Sequence, residues 1–313
     1  MASARASLIT CSFRGDLEMC GMLCRSIDRF VPAGIEHLLY VPSQDLPLFA
    51  AFATPQRQIL PQEALLPRWF WQVPLPDPQW REWLGLPRRN LYLTPCSLPV
   101  RGWIAQQIMK ISAALNAPTE IVGHIDSDLV FVRPLAFEHF VRRGDVRFFA
   151  QPSPFGFATQ RPWYAAAAKL LGAPGSENAN NLYIDQFVIW RRSVVRDMAA
   201  RIEATTGRDW RVALARTRQF AEYVLYGMFV EHLKGASAAG LYAQTRSLCH
   251  TRWTGRFASV EDEDAFVRSL QTDQVACVIQ STIPMTLDER ARVFDRVTRR
   301  AADTDARADQ RRA

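Results

Sequence analysis

The sequence predicts an α/β fold with a mostly parallel central sheet flanked by helices. Three observations carry this reading. The chain opens strand–helix–strand, short apolar runs alternate with helical patterns along most of its length, and one apolar run is cut by an acidic knot where a strand should end. The 313 residues suffice for one large domain of this class, and 48% hydrophobic with 22% charged residues is ordinary for a chain that builds its own core.

Residues 7–13 (SLITCSF) read as a first buried strand. A helix follows over 16–30, with Leu17, Cys20, Leu23, Cys24 and Ile27 at helical spacing, and Pro32 and Gly34 end it. Residues 37–42 (HLLYVP) form a second strand, so the opening unit implies a right-handed crossover and parallel pairing. Residues 43–100 are irregular and rich in proline, with tryptophans at Trp69, Trp71, Trp80 and Trp83. They form either a loop covering the core or an exposed membrane or acceptor interface. A helix over 102–116 carries the apolar stripe Ile104, Ile108, Ile111 and Leu115, beside a second stripe of Trp103, Gln107, Lys110 and Ala114. Residues 120–125 (EIVGHI) form a strand ending at Asp126, and 129–135 resume extended structure. A strand at 146–152, a short helix at 161–172, a strand at 180–192 and a helix at 193–205 follow. A strongly apolar helix covers 218–233, and 240–281 read as strands and loops. The end is rich in arginine and aspartate. A single domain is therefore expected over 1–295, with a frayed or disordered tail over 296–313.

The net charge is +7 and the pI about 9.3. Arginine carries nearly all the positive charge, the only lysines being Lys110, Lys169 and Lys234. A GC-rich coding sequence explains that balance, as would attraction to anionic partners. Six cysteines show no CxxC pair and read as reduced thiols. No apolar run has the length to span a bilayer, and the start (MASARASLITCSF) lacks the apolar segment of a signal peptide, so a cytoplasmic location is expected.

Asp126 and Asp128 form the acidic knot. Two residues apart in an extended chain, their side chains share a face about 7 Å apart. Like charges there repel unless a cation lies between them. Hard oxygen ligands at this spacing suit Mg²⁺ or Mn²⁺, and open α/β sheets bind ligands at the carboxyl ends of their strands. The alternative is a turn with solvated aspartate caps.

The segment HIDSDLVFVRPL resembles the DxD segment of GT-A glycosyltransferases, which use nucleotide-sugar donors. LITCSFRGDLEMCGMLCRSIDRFVP, RGWIAQQIMKISAA and FAEYVLYGMFV resemble segments of a bacterial family of uncharacterised glycosyltransferase-like proteins, so the likeness touches most of residues 7–255. The resemblance implies a GT-A-like (Rossmann-like) fold with Mn²⁺ or Mg²⁺ as cofactor. Asp126 would contact the ribose and the metal, and Asp128 would be the principal metal ligand on the donor diphosphate. Thr10, Ser12 and Asp16 would hold the nucleotide. Lys110, sixteen residues before Asp126 and one turn from Gln107, would bind the diphosphate; as a compact point charge it suits phosphate, and a surface lysine is its plainer reading. His250 in CHTRWTG would be the third metal ligand, with Arg252 close by for phosphate. The glycine-lysine continuation of the glycogenin-like pattern is missing after it.

Two further acids interrupt apolar segments, Asp185 in NLYIDQFVIW and Glu222 in FAEYVLYGMFV. A buried carboxylate is either paired or functional, and burial raises its pKa towards what a general base needs. Either could take the proton of an acceptor hydroxyl, and Trp190, Tyr183 and Tyr223 could offer stacking faces to a sugar. The expected partners are a nucleotide-sugar donor and a saccharide or glycolipid hydroxyl acceptor, with peripheral contact at the inner membrane face and no nucleic acid. The competing readings are an arginine-rich, non-enzymatic binder of nucleic acid or anionic lipid, a phosphatase of the haloacid dehalogenase type, and a transferase that binds without turnover.

Overall fold

The computed structural model describes residues 5–73, 90–153, 158–176 and 181–310. Trp80 and Trp83 lie outside them. The chain opens as expected, with β1 (Ala6–Cys11), α1 (Leu17–Phe30) and β2 (Ile35–Val41). The unexpected β3 (Arg57–Pro61) follows. After the irregular stretch come α2 (Gly102–Asn116), β4 (Ile121–Ile125) and β5 (Leu129–Phe131), then β6 (Asp145–Phe149) and α3 (Arg161–Leu171). The second half runs through β7 (Phe187–Arg191), α4 (Arg192–Thr206), α5 (Trp210–Ala215), α6 (Glu222–Phe229), β8 (Leu241–Gln244), β9 (Cys249–Arg252), α7 (Val260–Arg268), β10 (Ala276–Ile279) and α8 (Leu287–Gln310).

The central sheet has the order β7-β4-β1-β2-β3. Three of its four pairings are parallel, and β7 runs antiparallel to β4. This is the mostly parallel sheet the opening unit predicts. β1 is buried along its first five residues and β4 throughout, which explains their continuous apolar composition. Helix α2 lies against this sheet with Ile104, Ile108 and Ile111 buried. A second sheet, β9-β10-β5, packs with α7 and α8 around Val130, Val132, Phe266, Val293 and Val297. β5 thus belongs to a different sheet from β4, and the turn between them, Asp126 to Asp128, sits at the seam.

Three sequence expectations change. The tail expected to fray continues helix α8 to Gln310; Val297 and Ala301 are fully buried, and Asp305 pairs with Arg133 at 3.0 Å. The strand expected over 180–192 is two pieces, Asn181–Leu182 and β7, so Asp185 lies in the break between them. The apolar helix begins at Glu222 rather than 218 and closes in a π-helical turn, Val230–Lys234.

Candidate active site

The carboxyl ends of β1 and β4 lie side by side in the sheet, because Ile9 is in register with His124. The next residues of each strand therefore converge. Ser127 Oγ donates to Ser12 Oγ at 2.9 Å and ties the acidic turn to the end of β1. Asp16 stands just beyond, at the N-cap position of α1, with no side-chain capping bond. Burial, and then the neighbouring Asp126 charge, push its carboxyl up to about 6. Burial and Asp126 also push Asp128 up to about 6, and Asp16 adds to the effect. Burial first, and the Asp126 charge second, thus make ionisation of Asp16 and Asp128 costlier.

Their oxygens are incompletely satisfied. Asp128 Oδ2 accepts from Ser281 N at 2.8 Å. Asp128 Oδ1 is buried and accepts no hydrogen bond. Asp126 Oδ1 accepts none either, although Lys110 Nζ stands 3.2 Å away. Buried carboxylate oxygens without donors carry a free-energy cost that a bound cation would remove. Asp126 keeps 40% of its side chain exposed, so the turn is open to solvent on that side. Among the described residues no three His, Cys, Asp or Glu side chains gather where a metal ion could be held. Mg²⁺ and Mn²⁺ do not require three, since one or two carboxylates with water and substrate phosphates complete their shell.

Lys110 has three protein partners. Its ammonium is buried, donates to Tyr223 Oη at 3.0 Å, and lies 3.2 Å from Asp126 and 3.4 Å from Glu222. One hydrogen bond and two ion pairs thus surround the ammonium. Burial works against the charge, but Asp126, Tyr223 and Glu222 outweigh it and hold the amine well above its ordinary value. Glu222, only 2% exposed, is therefore an ion-paired carboxylate rather than a free base; burial still raises its pKa against the pull of Lys110. Gln107 Oε1 accepts from Glu222 N at 3.1 Å, fixing the first turn of α6.

Two more of the expected site residues have protein partners. Thr10 is 1% exposed and its hydroxyl meets His37 Nε2 at 3.0 Å, in a buried chain that continues to Arg57. His250 is a strand residue of β9: Nε2 lies 2.7 Å from Phe266 O and the ring stacks on Phe266 at 4.0 Å, so that nitrogen is engaged within the core. Arg252 pairs with Asp262 at 2.9 Å. Trp190, Tyr183 and Tyr223 are core residues, with Trp190 stacked on Tyr226 at 5.0 Å. Asp185 lies in the break before β7, and its Oδ1 accepts from Ser247 Oγ at 2.7 Å. Burial raises it to about 6, against the lowering effect of that bond.

Sequence reasoning missed three contributors. Ser127 bridges to Ser12, and nothing in a serine's composition announces that. Ser281 acts through its backbone. Phe13, read in the sequence as the end of a buried strand, is instead 50% exposed with its ring over Gly15, three residues before Asp16.

Several solved structures resemble this chain. The galactosyltransferase LgtC in complex with donor and acceptor sugar analogues is 12% identical, with a TM-score of 0.46 over 95% of each chain. The apo form of mouse xyloside xylosyltransferase 1 is 7% identical, with a TM-score of 0.44 over 90% of this chain and 100% of that one. The bifunctional glycosyltransferase WbbM, also apo, is 11% identical at a TM-score of 0.49, over 95% of this chain and 50% of its own. No curated protein sequence matches. One family model matches residues 7–299, and the chain belongs to that family, a family of unknown function designated DUF6492.

Proposed function

We propose that this protein is a metal-dependent glycosyltransferase that moves a sugar from a nucleotide-sugar donor to a hydroxyl acceptor. One observation carries the reading. The turn at the end of β4 brings Asp126 and Asp128 together, with a buried Asp128 oxygen that no donor satisfies and an Asp128 carboxyl raised by burial and by the Asp126 charge. That arrangement fits a hard divalent cation, Mn²⁺ or Mg²⁺, held by Asp128 and Asp126. When bound, the ion would neutralise charge on the leaving nucleoside diphosphate.

The chain's own residues do the rest. Lys110 orients Asp126, and Glu222 holds Lys110 in place. Ser12 and Ser127 lock the turn to the end of β1. Asp16 lies at the rim for the donor's hydroxyls, and Phe13 presents a face on which a nucleobase can stack. Asp185, raised to about 6 and bonded to Ser247 rather than to a cation, is the carboxylate assigned to the acceptor's proton, because Glu222 is ion-paired to Lys110. The acceptor class is a saccharide or glycolipid hydroxyl in the cytoplasm near the inner membrane face. The +7 charge and the exposed Trp71 and Leu98 support that placement. A dehalogenase-type phosphatase would need its acid pair after the first strand, and β1 ends at Cys11, far before Asp126.

The test is a thermal-shift panel of nucleoside diphosphates and sugar nucleotides with and without Mn²⁺. A stabilisation that requires both metal and nucleotide, followed by sugar transfer or donor hydrolysis, supports the proposal. Release of phosphate from a generic phosphomonoester with no nucleotide response overturns it.

A further inference from the structure

We propose a second ligand site, for a single neutral sugar ring, on the side of helix α2 that faces away from the acid pair. Lys110 and Ser112 are two residues apart on α2, about 200° around its axis. Lys110 reaches Asp126, so Ser112 points to the opposite flank. There a cavity of about 230 Å³ lies between the segment after β3, the end of α2 and the start of α5, with Trp69, Pro67, Ser112, Asn116, Asp209 and Arg211 in its wall.

The wall has a built polar group. Ser112 is 2% exposed and its hydroxyl has no hydrogen-bond partner. A buried hydroxyl left unsatisfied costs about 1–3 kcal/mol unless something in the cavity meets it. The other groups narrow what that is. Asp209 accepts, Arg211 donates, Asn116 does both, and the Trp69 ring with Pro67 gives an apolar plane. Asp209 and Arg211 already pair at 3.3 Å, so the wall has no net charge to select an ion. The Asp209 carboxylate opposes a phosphate, and the Arg211 guanidinium opposes a cation. The space falls below the roughly 300–1,000 Å³ of sites that take drug-sized apolar ligands. A sugar ring matches each feature: hydroxyls that donate and accept around its edge, one C–H face for the aromatic plane, and compact size. This inference does not rest on the transferase reading, because a sugar could be held here whatever the acid pair does.

Saturation-transfer NMR with free glucose, galactose, mannose and N-acetylglucosamine tests it on the full chain. At least one sugar is expected to receive saturation from the parent protein. The dissociation constant should weaken tenfold or more in Ser112→Ala and in Arg211→Ala, and stay unchanged in Asp128→Asn. Ser112→Ala should also leave the sugar-free melting temperature unchanged or raise it, because it removes an unsatisfied hydroxyl. No transfer to any of the four sugars would mean a cavity holding water only, and would overturn the proposal. So would transfer that survives both wall variants, transfer lost in Asp128→Asn, or a Ser112→Ala protein that melts lower without sugar.

Discussion

Replacing Lys110 by methionine tests the charged hub most sharply. Glu222 Oε1 lies 3.4 Å from Nζ, and at an effective dielectric of about 20 that attraction is about 5 kcal/mol. Asp126 is as close, but with 40% of its side chain exposed, water screens the pair and its share is about 1 kcal/mol at most. The variant also recovers the cost of burying an ammonium, so the Coulomb figure is not the net loss. Removing one partner of a buried pair costs about 3–5 kcal/mol, because the other charge is stranded. We expect Lys110→Met to lose that amount at pH 8, measured by urea denaturation followed by circular dichroism. Lys110→Met/Glu222→Gln should regain most of it, since no charge is then stranded. The pH dependence has a definite sign. Burial raises the Glu222 carboxyl in the folded state, and losing Lys110 raises it further. The penalty therefore grows as pH rises through the folded value and fades below it, so the loss at pH 5 is smaller than at pH 8. A loss under about 1 kcal/mol at pH 8, equal losses at both pH values, or no recovery in the double variant would refute this account of the hub.

Other outcomes follow from the same geometry. A Cβ on Gly227 would lie 2.2 Å from Tyr183 Cγ, and Tyr183 is 1% exposed with its hydroxyl bonded to Glu231; Gly227→Ala should cost about 1–3 kcal/mol or more, seen as a lower melting temperature, and an unchanged midpoint would contradict the packing. Arg290 is 3% exposed and donates to the carbonyls of Ile279, Gln280, Ser281 and Ile283, the loop whose Ser281 N holds Asp128. Arg290→Met should cost about 2–4 kcal/mol, since buried carbonyls lose charged donors, and should weaken Mn²⁺ binding as well; normal metal affinity in a destabilised variant would separate the loop from the site. Because Asp16 and Asp128 are both raised to about 6, Mn²⁺ affinity should fall as pH drops through 6, when those carboxyls take up protons. Calorimetric titrations at pH 5 and 7.5 check this, and equal affinities would exclude both groups from the metal's surroundings.

The parallel sheet was legible because β1, β2 and β4 are buried on both faces and so appear as unbroken apolar runs. β3 was not, since an edge strand carrying Arg57, Gln58 and Pro61 has no such signature. The acid pair stood out for the same reason the strands did: charge at the end of an apolar run. Lys110 and Glu222 each stood out as lone charges in apolar helices, but their pairing joins positions far apart in sequence, and only the fold brings α2 and α6 together. Helix α8 was hidden by its arginines and aspartates. Its buried stripe is only Val293, Phe294, Val297 and Ala301, too small to outweigh the composition, while Arg133 and the α7 acids bind its charged faces. His250 looked like a loop ligand beside Gly255 and Trp253, yet β9 pairs it with Cys277 and turns Nε2 to Phe266.

The account stands or falls on whether Asp126 and Asp128 hold a divalent ion. Titrating the protein with Mn²⁺ in the presence of a nucleoside diphosphate, and following the free-ion signal by electron paramagnetic resonance, measures this directly. We expect one ion taken up per chain by the parent, and none by an Asp128→Asn protein that melts no lower than the parent. Equal uptake by both proteins would contradict the assignment.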